Sequence, residues 1–187
     1  MTKTTAIVPG SLSAVAARDN VSLAETFLNC EVVVLIDQSG SMNARDVSGR
    51  SRYDAADDEL ARLQREHPGE VAVISFSSWP AFCPGGVPDR AGLGTDIAAA
   101  LKFARVADGV CQVVLISDGE PDSEQKALAE ARRYRNPIHT IYIGPERGDG
   151  RAFLERLAAA TGGRTFVRGE ATLLADSVSQ LLLTAYS

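Results

Sequence analysis

Short apolar runs, each closed by a polar or glycine-containing turn, punctuate the chain: Val32-Val33-Val34-Leu35-Ile36, Val71-Ala72-Val73-Ile74, Val113-Val114-Leu115-Ile116 and Ile138-His139-Thr140-Ile141-Tyr142-Ile143. Runs of this length, rich in β-branched residues, predict strands buried on both faces, as in a parallel sheet covered by helices. The segments between them carry helical spacing. Tyr53, Ala56, Leu60 and Leu63 form one apolar stripe that ends at His67-Pro68-Gly69, and Ile97, Leu101 and Ala104 form a second. Ala127, Leu128, Ala131 and Tyr134 form a third, closed before Asn136-Pro137. Phe153, Leu154, Leu157 and Ala158 form a fourth, which stops at Gly162-Gly163 ahead of the strand-like Thr165-Phe166-Val167. Leu173, Leu174, Val178, Leu181 and Leu182 predict a last amphipathic helix.

Strand and helix thus alternate from Glu31 onward, the pattern of an α/β fold with a doubly wound, Rossmann-like, mostly parallel sheet and helices on both faces. The segment Ser77 to Gly94 departs from it. With Pro80, Pro84, Pro88, four glycines and Trp79 it cannot form a regular helix, and a short antiparallel edge strand around Ala81-Phe82-Cys83 is the simplest account. Residues 1–29 read as an N-terminal extension in which Val21 to Asn29 predicts one helix, and residues 30–187 as the domain.

Composition narrows the function. A net charge of −5 with no basic run longer than Arg132-Arg133 gives no electrostatic footprint for nucleic acid or an anionic membrane. No run reaches the ~18 apolar residues that span a bilayer, and the first thirty residues lack a signal-peptide pattern, so a cytoplasmic location is expected. Cys30, Cys83 and Cys111 are odd in number and lack CxxC spacing, which reads as buried, inert thiols.

In an open α/β sheet, ligands bind beyond the carboxyl ends of the strands where strand order reverses. Polar residues gather at those ends here. The first run ends in Asp37-Gln38-Ser39-Gly40-Ser41 and the third in Ser117-Asp118-Gly119-Glu120, while Leu93-Gly94-Thr95-Asp96 opens the second helix. Two carboxylates and three hydroxyls, with no imidazole or thiolate, suit a hard cation: Mg²⁺ first, then Mn²⁺ or Ca²⁺. Such a set leaves the ion an exchangeable position that a carboxylate from another molecule can fill.

Asp37-x-Ser39-x-Ser41 followed by Thr95 and Asp118 resembles the metal-ion-dependent adhesion site of von Willebrand factor A domains, with every position present. The flanking Gly94-Thr95-Asp96-Ile97, Leu115-Ile116-Ser117-Asp118-Gly119 and Thr161-Gly162-Gly163 match as well, so the resemblance covers about residues 31–184. It implies that Ser39 and Ser41 ligate the metal directly, Thr95 directly or through water, and Asp37 and Asp118 largely through water. It also implies a protein-binding module rather than an enzyme. The partner would be a protein offering an Asp or Glu carboxylate, with bacterial intracellular relatives acting beside AAA+ ATPases or within multiprotein assemblies.

Blander roles exist for single residues. Thr95 suits the N-cap of a helix beginning at Asp96, and Asp118-Gly119 alone is a turn signal. The stripe Asp54 to Glu59 reads as a solvated helix face. Asp46, Asp96 and Asp122 lie near the site loops and tune its charge without ligating. Trp79 and Phe82 fit either a partner anchor or a cover for the sheet edge. The alternative function is a Mg²⁺-dependent phosphohydrolase with Asp37 as nucleophile. Against it, the position where such enzymes place a second acidic residue is Ser39. His67 and His139, at a helix end and inside a strand, suit no hydrolase triad, and no phosphate-binding glycine loop occurs.

Overall fold

The computed structural model describes residues 7–45, 49–88, 92–145 and 148–167. Its strands are β1 (Val32–Asp37), β2 (Val71–Phe76), β3 (Pro80–Phe82), β4 (Gln112–Ser117), β5 (Ile138–Tyr142) and β6 (Thr165–Val167). They form one sheet in the order β3-β2-β1-β4-β5-β6. All neighbours pair in parallel except β2 and β3, whose antiparallel register sets Ile74 opposite Phe82. The proline-rich segment therefore supplies the expected edge strand. The doubly wound α/β sheet is present as the alternation predicts.

Every residue of β1 and β2 is buried, because successive side chains enter opposite cores. Val33, Leu35, Ala72, Ile74, Val113 and Leu115 meet one layer of helices. These are α4 (Ile97–Ala104), α5 (Glu124–Ala131) and α6 (Asp149–Ala159). Val32, Val34, Ile36, Val71 and Val73 point the other way, onto Tyr53, Ala56, Leu60 and Leu63 of α3 (Arg52–Glu66). A capping box starts α3: the Ser51 hydroxyl takes the Asp54 N–H, and the Asp54 carboxylate takes the Ser51 N–H. Gly69, at φ +82°, turns the chain from the end of that helix into β2.

The N-terminal extension holds two helices where one was expected: α1 (Leu12–Asp19) and α2 (Leu23–Leu28). Leu12, Val15 and Ala16 bury one short face of α1, and Ser11 caps it. Main-chain bonds tie the extension to the rest. The Val8 and Ser13 N–H groups donate to Gly85 and Pro84 of the β3 segment, and the Gly69 N–H donates to Gly10. The helix expected over Leu173 to Leu182 lies outside the described residues, as does Asp46. No helix among the described residues is long and apolar enough to cross a membrane.

From β1 the chain passes to β2 on one side, and β4 later adds on the other. The reversal of strand order thus falls between β1 and β4, and their carboxyl ends carry Asp37, Ser117 and Asp118.

Candidate metal centre

Asp37 is the last residue of β1 and fully buried. Its Oδ1 accepts the Ser39 N–H at 2.8 Å and its Oδ2 accepts the Ser117 hydroxyl at 2.6 Å. Burial pushes its pKa up to about 6 against the pull of those hydrogen bonds, with Asp118 adding like charge. Ser117 also takes the Gly119 N–H at 2.9 Å, so one hydroxyl holds both the carboxylate and the turn after β4. Ser117 was legible in the sequence only as a neighbour of Asp118.

Ser39 and Ser41 flank the start of a short 3₁₀ turn, Gly40–Asn43. Their hydroxyl oxygens lie 3.0 Å apart, and neither caps the turn. Met42, directly after Ser41, is fully buried and anchors the turn in the α3-side core. Tyr53 braces the loop from behind: its hydroxyl donates to the carbonyl of Gln38 at 2.9 Å and also to that of Ser39. The first turn of α3 thereby fixes the serine loop in place, an arrangement in which long-range packing positions short polar side chains.

Thr95 reaches the same end of the sheet from the loop before α4. Its reading as an N-cap is corrected by the geometry: α4 begins at Ile97, and the cap is Asp96, whose carboxylate accepts the Ala99 N–H at 2.9 Å. Both residues are good cap formers, and the extra residue of loop hands the role to the aspartate. The Thr95 hydroxyl is left out of the cap. Its backbone is clamped instead to the loop after β4, since its N–H donates to Asp122 Oδ1 at 3.0 Å and its carbonyl accepts the Asp122 N–H at 3.0 Å. Asp122 is thus a strut between two site loops.

Asp118 directly follows β4 and its side chain is 1% exposed. Oδ2 pairs with Arg52 Nη1 at 2.7 Å, while Oδ1 is buried without a hydrogen-bond partner among the described residues. Arg52 was not singled out in the sequence. It is the first residue of α3, and its Nη1 also lies 3.4 Å from the Ser41 carbonyl. Gly119 turns the chain at φ +76°, and a Cβ there would fall 2.1 Å from the Gly150 carbonyl, so this close approach to α6 requires glycine.

All five expected site residues therefore lie at one end of the sheet, at the β1/β4 reversal, Asp37 closing β1 and the other four in the segments beyond the strands. Among the described residues no cluster of three or more His, Cys, Asp or Glu side chains is placed to hold a metal. The carboxylates here number two, and the remaining oxygen donors are hydroxyls. The histidines are engaged elsewhere: His67 Nδ1 lies 3.1 Å from Glu70 and His139 Nδ1 accepts the Arg164 N–H at 3.2 Å. Burial lowers the His139 pKa. Trp79, on the β2–β3 turn, is 82% exposed and so covers no sheet edge, whereas Phe82 meets Phe27 edge-on with ring centroids 6.0 Å apart. Cys30 and Cys111 are buried free thiols, as expected, and Cys83 is half-buried.

The sequence matches no protein-family model. One curated relative, calcium-activated chloride channel regulator 1 from Bos taurus, is 26% identical over 158 residues, which cover 72% of this chain and 17% of that protein. The chain therefore spans about a sixth of the length of the relative it matches. Among solved structures, an aerotolerance-related membrane protein from Bacteroides fragilis superposes with a TM-score of 0.66 at 19% identity, over 81% of this chain and 97% of its own. The vWF domain of the type V pili tip protein Mfa5 from Porphyromonas gingivalis gives 0.66 at 14% identity, over 84% and 96%. Manganese-loaded TRAP protein from Plasmodium vivax gives 0.52 at 16% identity, over 70% and 62%. These likenesses establish a shared fold.

Proposed function

We propose that this chain, a von Willebrand factor A-type domain by its fold, is a protein-interaction module that binds a divalent cation and, through it, a carboxylate of a partner protein. The observation that carries this reading is the orphaned Oδ1 of buried Asp118, at the same end of the sheet as two seryl hydroxyls 3.0 Å apart and a threonine whose hydroxyl is free of helix capping. A buried carboxylate oxygen without a donor is costly unless something positive completes it. Ser39 and Ser41 would bind the ion directly, Thr95 directly or through water, and Asp37 and Asp118 largely through water. All-oxygen donors suit Mg²⁺, with Mn²⁺ or Ca²⁺ as substitutes. The manganese carried by the TRAP structure is in keeping with such chemistry on this fold. When bound, the ion supplies a positive centre with an exchangeable position for an Asp or Glu carboxylate.

The phosphohydrolase reading has less support. Each oxygen of Asp37 already accepts one hydrogen bond, from Ser39 and Ser117, and the side chain is fully buried, which disfavours its attack on a substrate phosphorus. Neither histidine is free to serve as a base. We place the module in the cytoplasm, in keeping with its three unpaired cysteines, with an AAA+ ATPase or another member of a multiprotein assembly as its partner. Affinity purification with wild type and Ser41→Ala, each in Mg²⁺ and in EDTA, tests the binding claim. A partner held by wild type in Mg²⁺ alone is expected. Equal retention by Ser41→Ala contradicts it, and turnover of a generic phosphate ester that is lost in Asp37→Asn would favour the hydrolase.

A further inference from the structure

We propose that Arg52 is an internal counter-cation of the metal centre: it neutralises Asp118 until a divalent ion arrives, and thereby sets the ion concentration at which the site fills. This rests on the metal-binding reading above and assigns a role to a residue outside the adhesion-site motif.

Two buried carboxylates, Asp37 and Asp118, stand at the ends of neighbouring strands, with side chains at the same end of the sheet. Among the described residues, Asp37 is held by neutral donors, a main-chain N–H and a hydroxyl. Asp118 has the guanidinium of Arg52, and the side chains of this pair are 19% and 1% exposed. Removing one member of so buried a pair leaves an uncompensated charge, whereas an equally buried neutral group costs far less.

The place of Arg52 in its helix strengthens the case. It is the first residue of α3, where the helix dipole is positive and favours an anion. The rest of the helix start obeys that preference, with Asp54 closing the capping box. A cation at this position is explained by Asp118, across 66 residues of sequence, and not by α3 itself. Among the described residues, the protein contacts of the guanidinium run through Nη1, to Asp118 Oδ2 and towards the Ser41 carbonyl. It therefore bridges two of the loops that hold the proposed donors.

An ion that uses Asp118, directly or through water, shares that carboxylate with Arg52 and meets its positive charge at close range in a mostly dry site. Like charges there oppose each other more strongly than in water. The arginine accordingly stabilises the fold without the ion and weakens ion binding. Removing its charge reverses both effects.

Arg52→Met and Arg52→Gln, alike in length but uncharged, and Arg52→Lys, which keeps the charge, test this. Free Mn²⁺ is read by electron paramagnetic resonance during titration, and thermal unfolding is followed in EDTA. The inference expects Arg52→Met and Arg52→Gln to bind Mn²⁺ at least about tenfold more tightly than wild type, and to unfold several degrees lower in EDTA. Arg52→Lys should stay near wild type in both. Unchanged or weaker Mn²⁺ binding in both neutral variants, beside normal binding in wild type, overturns the role of Arg52 and leaves the metal site standing. If wild type and the neutral variants all bind no Mn²⁺, the metal reading falls and the inference with it.

Discussion

The two ends of the β1–β4 strand pair are built on opposite principles. At the amino ends, polar groups close on one another. The Cys30 thiol donates to Val32 O at 3.1 Å, the Cys111 thiol to Cys30 O at 3.2 Å, and Asn136 Nδ2 to Cys111 O at 3.1 Å, while Asp108 accepts the N–H groups of Arg135 and Asn136 at 3.0 Å. The adjacent Cys111 thiol and then burial raise the Cys30 pKa, so that thiol stays protonated. Gln112 Oε1 is the exception there. At the carboxyl ends, Asp118 Oδ1 and the whole Gln38 amide are buried without partners among the described residues, and burial pushes the Asp37 pKa up to about 6. Yet the cleft of about 800 Å³ that includes Cys30, Glu31 and Gln112 opens at the satisfied end. Unmet polar demand, not cavity volume, distinguishes the end that carries the proposed chemistry.

This contrast can be broken at several places. The largest effect is expected at Gly150, where a Cβ would lie 2.0 Å from the Asp118 carbonyl. Gly150→Ala should destabilise the domain by about 3 kcal/mol or more in urea unfolding, because backbone must move at both the turn after β4 and the start of α6. A loss within about 1 kcal/mol would mean that the site turn is not held rigidly by α6.

Asp37 gives the next effect, and its sign follows from its pKa. The folded value of about 6 lies above the ordinary carboxylate value of 3.8, so the stability the protonated group contributes is present below about pH 4 and is lost as pH rises through 6. In EDTA, wild type should therefore lose stability relative to Asp37→Asn between about pH 4 and 6, by roughly 2–3 kcal/mol, and the difference should be level above pH 7. A flat difference across that range would show that Asp37 is not strained by burial.

Smaller and more discriminating is the pair Thr95 and Asp96. Asp96→Ala removes the α4 cap and should cost about 1 kcal/mol while sparing Mg²⁺ affinity. Thr95→Ala should do the reverse, leaving stability in EDTA nearly unchanged and weakening Mg²⁺ binding in calorimetric titration. The smallest change is expected at the satisfied end, where Cys111→Ser keeps a donor for Cys30 O. It should cost under about 1 kcal/mol and leave Mg²⁺ affinity unaltered.

The fold was legible because its central strands are buried on both faces, which writes them as unbroken β-branched runs such as Val32 to Ile36. Even β3 followed from the prolines that forbid a helix between Ser77 and Gly94. Helix α1 was missed because its buried face consists of Leu12, Val15 and Ala16 alone, too short a stripe to stand out from a chain terminus. The expected site residues were legible in the sequence because four of the five sit within two residues of the end of β1, the end of β4 or the start of α4. Their supports were not. Arg52 meets Asp118 across 66 residues, Ser117 meets Asp37 across 80 and Asp122 meets Thr95 across 27. Such pairs exist only once strand order has brought the loops together, and no local periodicity announces them. The alternative role offered for Thr95, the helix cap, falls to Asp96 because two adjacent residues are both able to fill it, and only the helix register decides between them.

The central claim is that unmet polar demand at the carboxyl ends of β1 and β4 is met by a divalent cation. Thermal unfolding over rising Mg²⁺, against an EDTA baseline, measures this directly in wild type and Asp37→Asn. A cation bound by the native state alone raises the midpoint progressively with its concentration. The midpoint should climb in wild type and stay level in Asp37→Asn; no climb in wild type, or an equal climb in both, would contradict the claim.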